Sequence, residues 1–195
     1  EFVYKKNVSI SAPILVSKNI AYILYNGASP IAIDLNNGKL LWKASVEKNA
    51  SELLKIKNLG NDFKWDVWGG GVIDLKYNQL IFSTANAKPS WASDNRLGPN
   101  LFYHSVVSVD LETGKYKWHF QEIEHDLWNL DLAAPPMLVD IDQMDYVVQA
   151  TKTGQLIVLN RKNGEPTEQV IEKKFDLYDD NEETFTVKKY FPNWL

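Results

Sequence analysis

The chain has 195 residues, a formal net charge of −4, 45% hydrophobic and 24% charged residues, and no cysteine. That composition excludes a disordered chain. It also excludes a disulfide scaffold, a thiolate metal site and a Cys nucleophile, and the acidic balance offers no electrostatic footprint for nucleic acid or an anionic membrane surface. Glu1 stands where an initiator Met would be, and no run of 18 apolar residues occurs. The expectation is a segment of a longer protein, with any targeting signal or membrane contact carried elsewhere.

Residues 9–17 read as a strand with Pro13 near its start, where a missing N–H is tolerated. Lys18-Asn19 turns, 20–25 is an apolar strand, and Asn26-Gly27 is a strong turn signal. Residues 30–34 and 39–46 complete four short strands in about forty residues, the period of a propeller blade. Residues 47–61 break that beat, and 51–57 suit one or two helical turns with Ser51 as cap. Trp65-Asp-Val-Trp68-Gly-Gly-Gly71 follows. Three glycines let a backbone approach something closely or bend sharply. The aromatics beside them are either a lid on the core or a floor for a planar ligand.

Strands resume at 72–74 and 79–84, separated by a turn at 76–78, and residues 85–100 form a long polar loop of the size that usually carries function. After the strand at 103–110, Asp110 to Trp118 repeats the pattern of Asp34 to Trp42: an acid, turn residues, Gly, three residues, Trp. Residues 135–140, 146–150 and 156–160 are further strands. Arg161-Lys-Asn-Gly164 is the same corner a third time, without a closing Trp, and 184–188 suits one more strand. The reading is all-β: a partial β-propeller with blades at about 1–46, 62–121 and 133–166, and 167–195 a tail or the start of the next blade. A repeated Trp at such a corner can stack on the peptide plane of the neighbouring blade.

Between the second and third units lies Lys117-Trp-His-Phe-Gln-Glu-Ile-Glu-His-Asp-Leu-Trp-Asn-Leu-Asp131, a crowd of ionisable and amide groups beside large aromatics. Such groups can hold a flat polar ligand or a metal, or they form a structural corner plugged by Trp.

Trp68-Gly-Gly, Thr84-Ala-Asn86, Asn100-Leu-Phe-Tyr103, His125-Asp126-Leu-Trp-Asn129 and Lys152-Thr-Gly154, in this order, resemble the quinoprotein dehydrogenases. The likeness is nearest to their membrane-associated glucose, quinate and polyol branch and runs from about Trp65 to Pro166. The resemblance implies an eight-bladed propeller, of which this chain would form three to four blades, binding pyrroloquinoline quinone (PQQ) and Ca²⁺ or Mg²⁺. It places the PQQ ring on Trp68, makes Asn86 an amide ligand of the metal, and sets Lys152 against the quinone oxygens. An ammonium there would stabilise negative charge developing on reduction. A hard cation takes oxygen donors of the Asn86 kind.

Two positions depart from the family pattern. The general base of the family is the Asp directly after Trp in His-Asp-x-Trp-Asp, and Asn129 stands there in this chain. An amide cannot take a hydroxyl proton. Asp131, two residues on, is the nearest carboxylate and would share a face with Asn129 in an extended segment. It is expected as a substitute base or an extra metal ligand. The acidic metal ligand of an earlier blade has no counterpart in Asn26-Gly-Ala-Ser-Pro30. The resemblance implies a periplasmic dehydrogenase that oxidises an alcohol, polyol or sugar and passes electrons to a quinone or cytochrome. The alternative from a different class is a non-catalytic propeller serving as a binding or outer-membrane assembly module.

Overall fold

The computed structural model describes residues 9–26, 28–46, 66–90 and 100–167. The helical turns expected at 51–57 and the strand expected at 184–188 lie outside the described residues, as do all of 47–65 and 168–195 and residues 91–99 of the expected long loop. Among the described residues eleven strands form three antiparallel sheets. Blade 1 holds β1 (Leu15–Ser17), β2 (Ile20–Tyr25), β3 (Ala28–Asp34) and β4 (Leu40–Lys43) in spatial order β1-β2-β3-β4. Blade 2 repeats this with β5 (Gly71–Asp74), β6 (Gln79–Ser83), β7 (Ser105–Asp110) and β8 (Tyr116–Gln121). Blade 3 holds β9 (Met137–Ile141), β10 (Met144–Ala150) and β11 (Leu156–Asn160), and a bridge from Leu159 to Pro166 continues it outward. The first strands β1, β5 and β9 adjoin one another across blades, so they form the inner edge of the fan. This is a partial β-propeller, as the repeat pattern predicts.

The strands read as unbroken apolar runs because each middle blade is covered on both faces. Leu80, Phe82, Val107 and Val109 of blade 2 pack with Tyr22, Leu24 and Trp42 of blade 1. The intervening residues Ile81 and Val106 point the other way, into a cluster with Val147, Ile157 and Leu159 of blade 3. Alternation along a strand therefore sorts side chains between two neighbours rather than between core and water. Every residue of β6 is buried as a result.

The repeated corner explains how blades register. Asp34, Asp110 and Asn160 each accept, through a side-chain oxygen, the backbone N–H two residues on. Gly38, Gly114 and Gly164 then close each turn with φ of 71°, 67° and 75°. The glycine matters for a second reason. A Cβ on Gly114 would lie 2.5 Å from the Trp42 ring, and one on Gly164 would lie 2.3 Å from the Trp118 ring. Each indole lies flat on the corner of the next blade, the stacking expected from the repeat. Trp42 Nε1 donates to Leu111 O at 3.1 Å, and Trp118 Nε1 donates to Gln79 Oε1 at 3.1 Å.

Blades 2 and 3 are also tied by charge. Buried Arg161 pairs with Asp145 at 3.1 Å and Asp140 at 3.0 Å, and its Nε faces Asp74 at 3.4 Å. Gln79 Nε2 donates to Asp74 Oδ2 and to Arg161 O. Hydrogen bonds from Lys76 and Tyr77 hold the Asp145 carboxyl down at about 2.

Predicted boundaries shift where loops claim strand residues. Residues 9–14 are unpaired apart from a bridge between Ser9 and Asn26, so the first strand begins at Leu15. Tyr103 and His104 belong to the turn before β7, with His104 at φ 49°.

Candidate active site

Four loop segments at the inner ends of blades 2 and 3 build the site. Residues 66–70 lead into β5, 84–87 leave β6, 122–134 link the two blades, and 151–155 leave β10. Backbone bonds lock the first two together: Ala85 N donates to Asp66 O at 2.8 Å, and Ser83 N to Gly70 O at 3.4 Å.

Asp131 is the centre of the polar cluster. It is buried, its Oδ1 accepts the Asn86 backbone N–H at 2.9 Å, and its Oδ2 is bound by the Lys152 ammonium. Lys152 Nζ also donates to the Asn129 backbone carbonyl at 3.0 Å. Burial alone would raise the Asp131 carboxyl. Hydrogen bonds from Lys152 and from Asn86 outweigh that and hold it below the usual carboxylate range. Asp131 is thus an ionised, buried carboxylate beside a fixed cation. Bonds through Asp131 and Lys152 bring Asn86, Asn129, Asp131 and Lys152 together.

Asn129 takes part through its backbone. Its φ is 62°, so the segment is not extended there and the shared face expected for Asn129 and Asp131 is replaced by a turn. Asp126 makes that turn: its carboxylate accepts Trp128 N at 3.0 Å and Leu130 N at 3.1 Å. Trp68 is 52% exposed, so it is not a lid on the core. The residue after it, Gly69, lies against the backbone of Ala133 and Ala134, just past Asp131. That contact brings the loop bearing Trp68 against the segment bearing Asp131.

Sequence reasoning assigned no role to His104 or Glu122. His104 is almost fully buried; its Nε2 meets Asn86 Oδ1 and also Asp126 Oδ2, the latter at 3.1 Å. The imidazole therefore ties the Asn86 amide to the carboxylate that shapes the 126–130 turn. Its place in an apolar strand run gave no signal of this role. Glu122 is 8% exposed, and its Oε2 has no partner. Burial pushes its carboxyl up to about 7, Thr151 pulls it back by a hydrogen bond, and Asp126 pushes it up further.

The Glu122 shift has a sign that can be tested. Below about pH 4.5 the carboxyl is protonated in both folded and unfolded chains and adds no pH dependence. Between there and about pH 7 the unfolded chain gives up its proton first, so stability falls as pH rises. The full loss, at most about 3 kcal/mol, is present above pH 7. Thermal denaturation from pH 5 to 8 should show this decline in the wild type and a flatter profile in Glu122→Gln.

The donor chemistry fits a hard cation and a flat anionic ring. Asn86 and Asp131 are adjacent buried oxygen donors, though Asn86 Oδ1 now faces His104 and Asp131 Oδ2 faces Lys152. Among the described residues no three His, Cys, Asp or Glu side chains come together to hold a metal. A cation that takes 6–8 oxygens would draw the remainder from outside this set. The half-exposed Trp68 indole can supply a stacking face, and the Lys152 ammonium a counter-charge, for a planar acid.

Fanned antiparallel blades with Trp-on-Gly corners, and polar loops gathered between two of them, define a partial β-propeller. A family model described as PQQ: glucose/ethanol/alcohol dehydrogenase, β-propeller domain, matches residues 5–193. The chain belongs to this family. It is similar to quinoprotein glucose dehydrogenase A of Acinetobacter calcoaceticus, 31% identical over 149 residues that cover 72% of this chain and 18% of that protein. Similarity to the quinohemoprotein alcohol dehydrogenase of Comamonas testosteroni is 35% over 113 residues, 51% of this chain and 16% of that protein. The crystal structure of the Comamonas testosteroni quinohemoprotein alcohol dehydrogenase shares the fold, with a TM-score of 0.64 at 22% identity, covering 94% of this chain and 32% of that one. This chain spans less than a fifth of the length of those two curated relatives.

Proposed function

We propose that this chain supplies part of the cofactor site of a periplasmic PQQ-dependent dehydrogenase that oxidises an alcohol, polyol or sugar. The observation that carries the reading is the Lys152 ammonium held between the Asn129 carbonyl and the Asp131 carboxylate, whose other oxygen accepts the Asn86 backbone N–H. The names of its relatives support the cofactor class.

Trp68 would stack on PQQ and Lys152 would bind its quinone oxygens, while Asn86, with Asp131, would hold Ca²⁺ or Mg²⁺. Bound PQQ supplies a two-electron acceptor for a carbinol hydride, and the cation polarises it. Asp131 takes the role of base that Asn129 cannot fill. As an ionised carboxylate at neutral pH it can accept the substrate hydroxyl proton. Electrons would leave to a quinone or cytochrome. Membrane contact would come through other parts of the protein.

A second reading, a non-catalytic propeller acting as a binding or assembly module, is favoured by Asn129 and by the engagement of Asn86 Oδ1 with His104. PQQ uptake by the full-length protein, with divalent cation supplied, separates the two. Uptake followed by dye-linked oxidation of a primary alcohol or an aldose supports the enzyme. No uptake leaves the module standing.

A further inference from the structure

The three consecutive glycines at 69–71 do more than bend the chain into β5. Gly70 has φ 92°, a backbone state that side chains disfavour. A Cβ on Gly71 would lie 2.6 Å from Ile81 O, which explains that residue by the tight pairing of β5 with β6. Gly69 faces elsewhere. A Cβ there would lie 2.6 Å from Ala133 O and 2.6 Å from both C and O of Ala134. These are backbone atoms of the segment that carries Asp131, and no flexible side chain stands between.

The Ala134 carbonyl is itself pinned from two sides. Ser83 Oγ donates to it at 2.9 Å and Gln149 Nε2 at 3.0 Å. Both side chains are completely buried. Gln149 keeps this bond although its Oε1 has no partner, a buried acceptor that costs on the order of 1–3 kcal/mol. Ser83 ends β6, two residues before Ala85 joins the Asp66 backbone. Gln149 lies on β10, three residues before Lys152. The loops bearing Trp68, Asn86, Asp131 and Lys152 therefore meet at one peptide group.

We propose that Gly69, Ser83 and Gln149 are positioning residues that fix the loop bearing Trp68 against the segment bearing Asp131, with the Ala133–Ala134 backbone as the stop. The consequence for PQQ rests on the function proposed above; the placement of Trp68 does not. A methyl at position 69 must push the loop away by on the order of 1 Å to restore ordinary contact. Misplacement of that size can cost ~10²-fold in a positioned site. Loss of either donor to Ala134 lets the stop drift by less.

The test uses full-length protein labelled with 5-fluorotryptophan. The Trp68 ¹⁹F signal is assigned by its loss in Trp68→Phe, and PQQ affinity is measured separately by tryptophan quenching. Gly69→Ala should move the Trp68 signal and raise the PQQ Kd by ~10-fold or more, with secondary structure by circular dichroism unchanged. Ser83→Ala and Gln149→Leu should give smaller changes in the same direction, and they carry the test if Gly69→Ala fails to fold. An unmoved Trp68 signal in the variants overturns the proposal, and a moved signal with an unchanged Kd overturns its consequence for PQQ. A moved signal in a protein that never binds PQQ leaves the placement standing and removes the functional reading.

Discussion

Asp131→Asn is expected to lower dye-linked kcat by ~10²–10⁴-fold at saturating PQQ and cation, the usual worth of a positioned general base. The argument runs from charge and reach. Asn129 meets Lys152 only through its backbone carbonyl, whereas Asp131 presents a carboxylate to the ammonium and to the Asn86 N–H. Those bonds keep it ionised at neutral pH. An Asn at 131 keeps the shape and removes the proton acceptor. Asn129→Asp should change kcat little, because φ of 62° and the Asp126-made turn hold that residue through its main chain. Steady-state kinetics with bound PQQ counted in each variant checks this. Full activity in Asp131→Asn, or a hundredfold gain in Asn129→Asp, would place the base elsewhere.

Trp118→Ala is expected to destabilise the protein by ~3–5 kcal/mol, the range for a buried aromatic removed from a core. The indole is 5% exposed, covers Gly164 of the next blade and donates to Gln79. Its loss opens a cavity at the joint between blades 2 and 3, where Gly164 offers no side chain to fill it. Trp118→Phe keeps a ring on the glycine and loses only the N–H bond. Gln79 Oε1 then still accepts Ser108 Oγ at 2.8 Å, so a cost of about 1 kcal/mol is expected. Urea denaturation of both variants gives the comparison, and equal midpoints for Trp118→Ala and wild type would remove the corner from the account of stability.

The blades were legible because their signals are local. Apolar runs of strand length, bounded by Asp or Asn turns ending in Gly, need no knowledge of distant partners, and the Trp at residue four after Gly marks the same corner twice. Asn86, Asp131 and Lys152 were found through resemblance, and their convergence follows from being at the inner ends of neighbouring blades. Other features depend on loops far apart in sequence. His104 looked like a strand residue, yet it sits in a turn and bridges Asn86 and Asp126, 18 and 22 positions away. The sequence of Trp68 and its neighbours favoured a lid on the core over a floor for a ligand, and its exposure in the fold rules the lid out. Arg161 read only as part of the third corner, yet it is buried and faces three aspartates from two blades. No periodicity carries such information.

The most direct test of the central claim is an equilibrium titration of PQQ into the full-length protein with Ca²⁺ or Mg²⁺ present, followed by tryptophan quenching. Saturation at one PQQ per chain is predicted for the wild type, with Kd raised ~10-fold or more in Trp68→Ala and in Lys152→Met, since each loses a ring face or an ammonium contact. Absence of saturable uptake in the wild type, or equal affinity in all three proteins, would contradict the account.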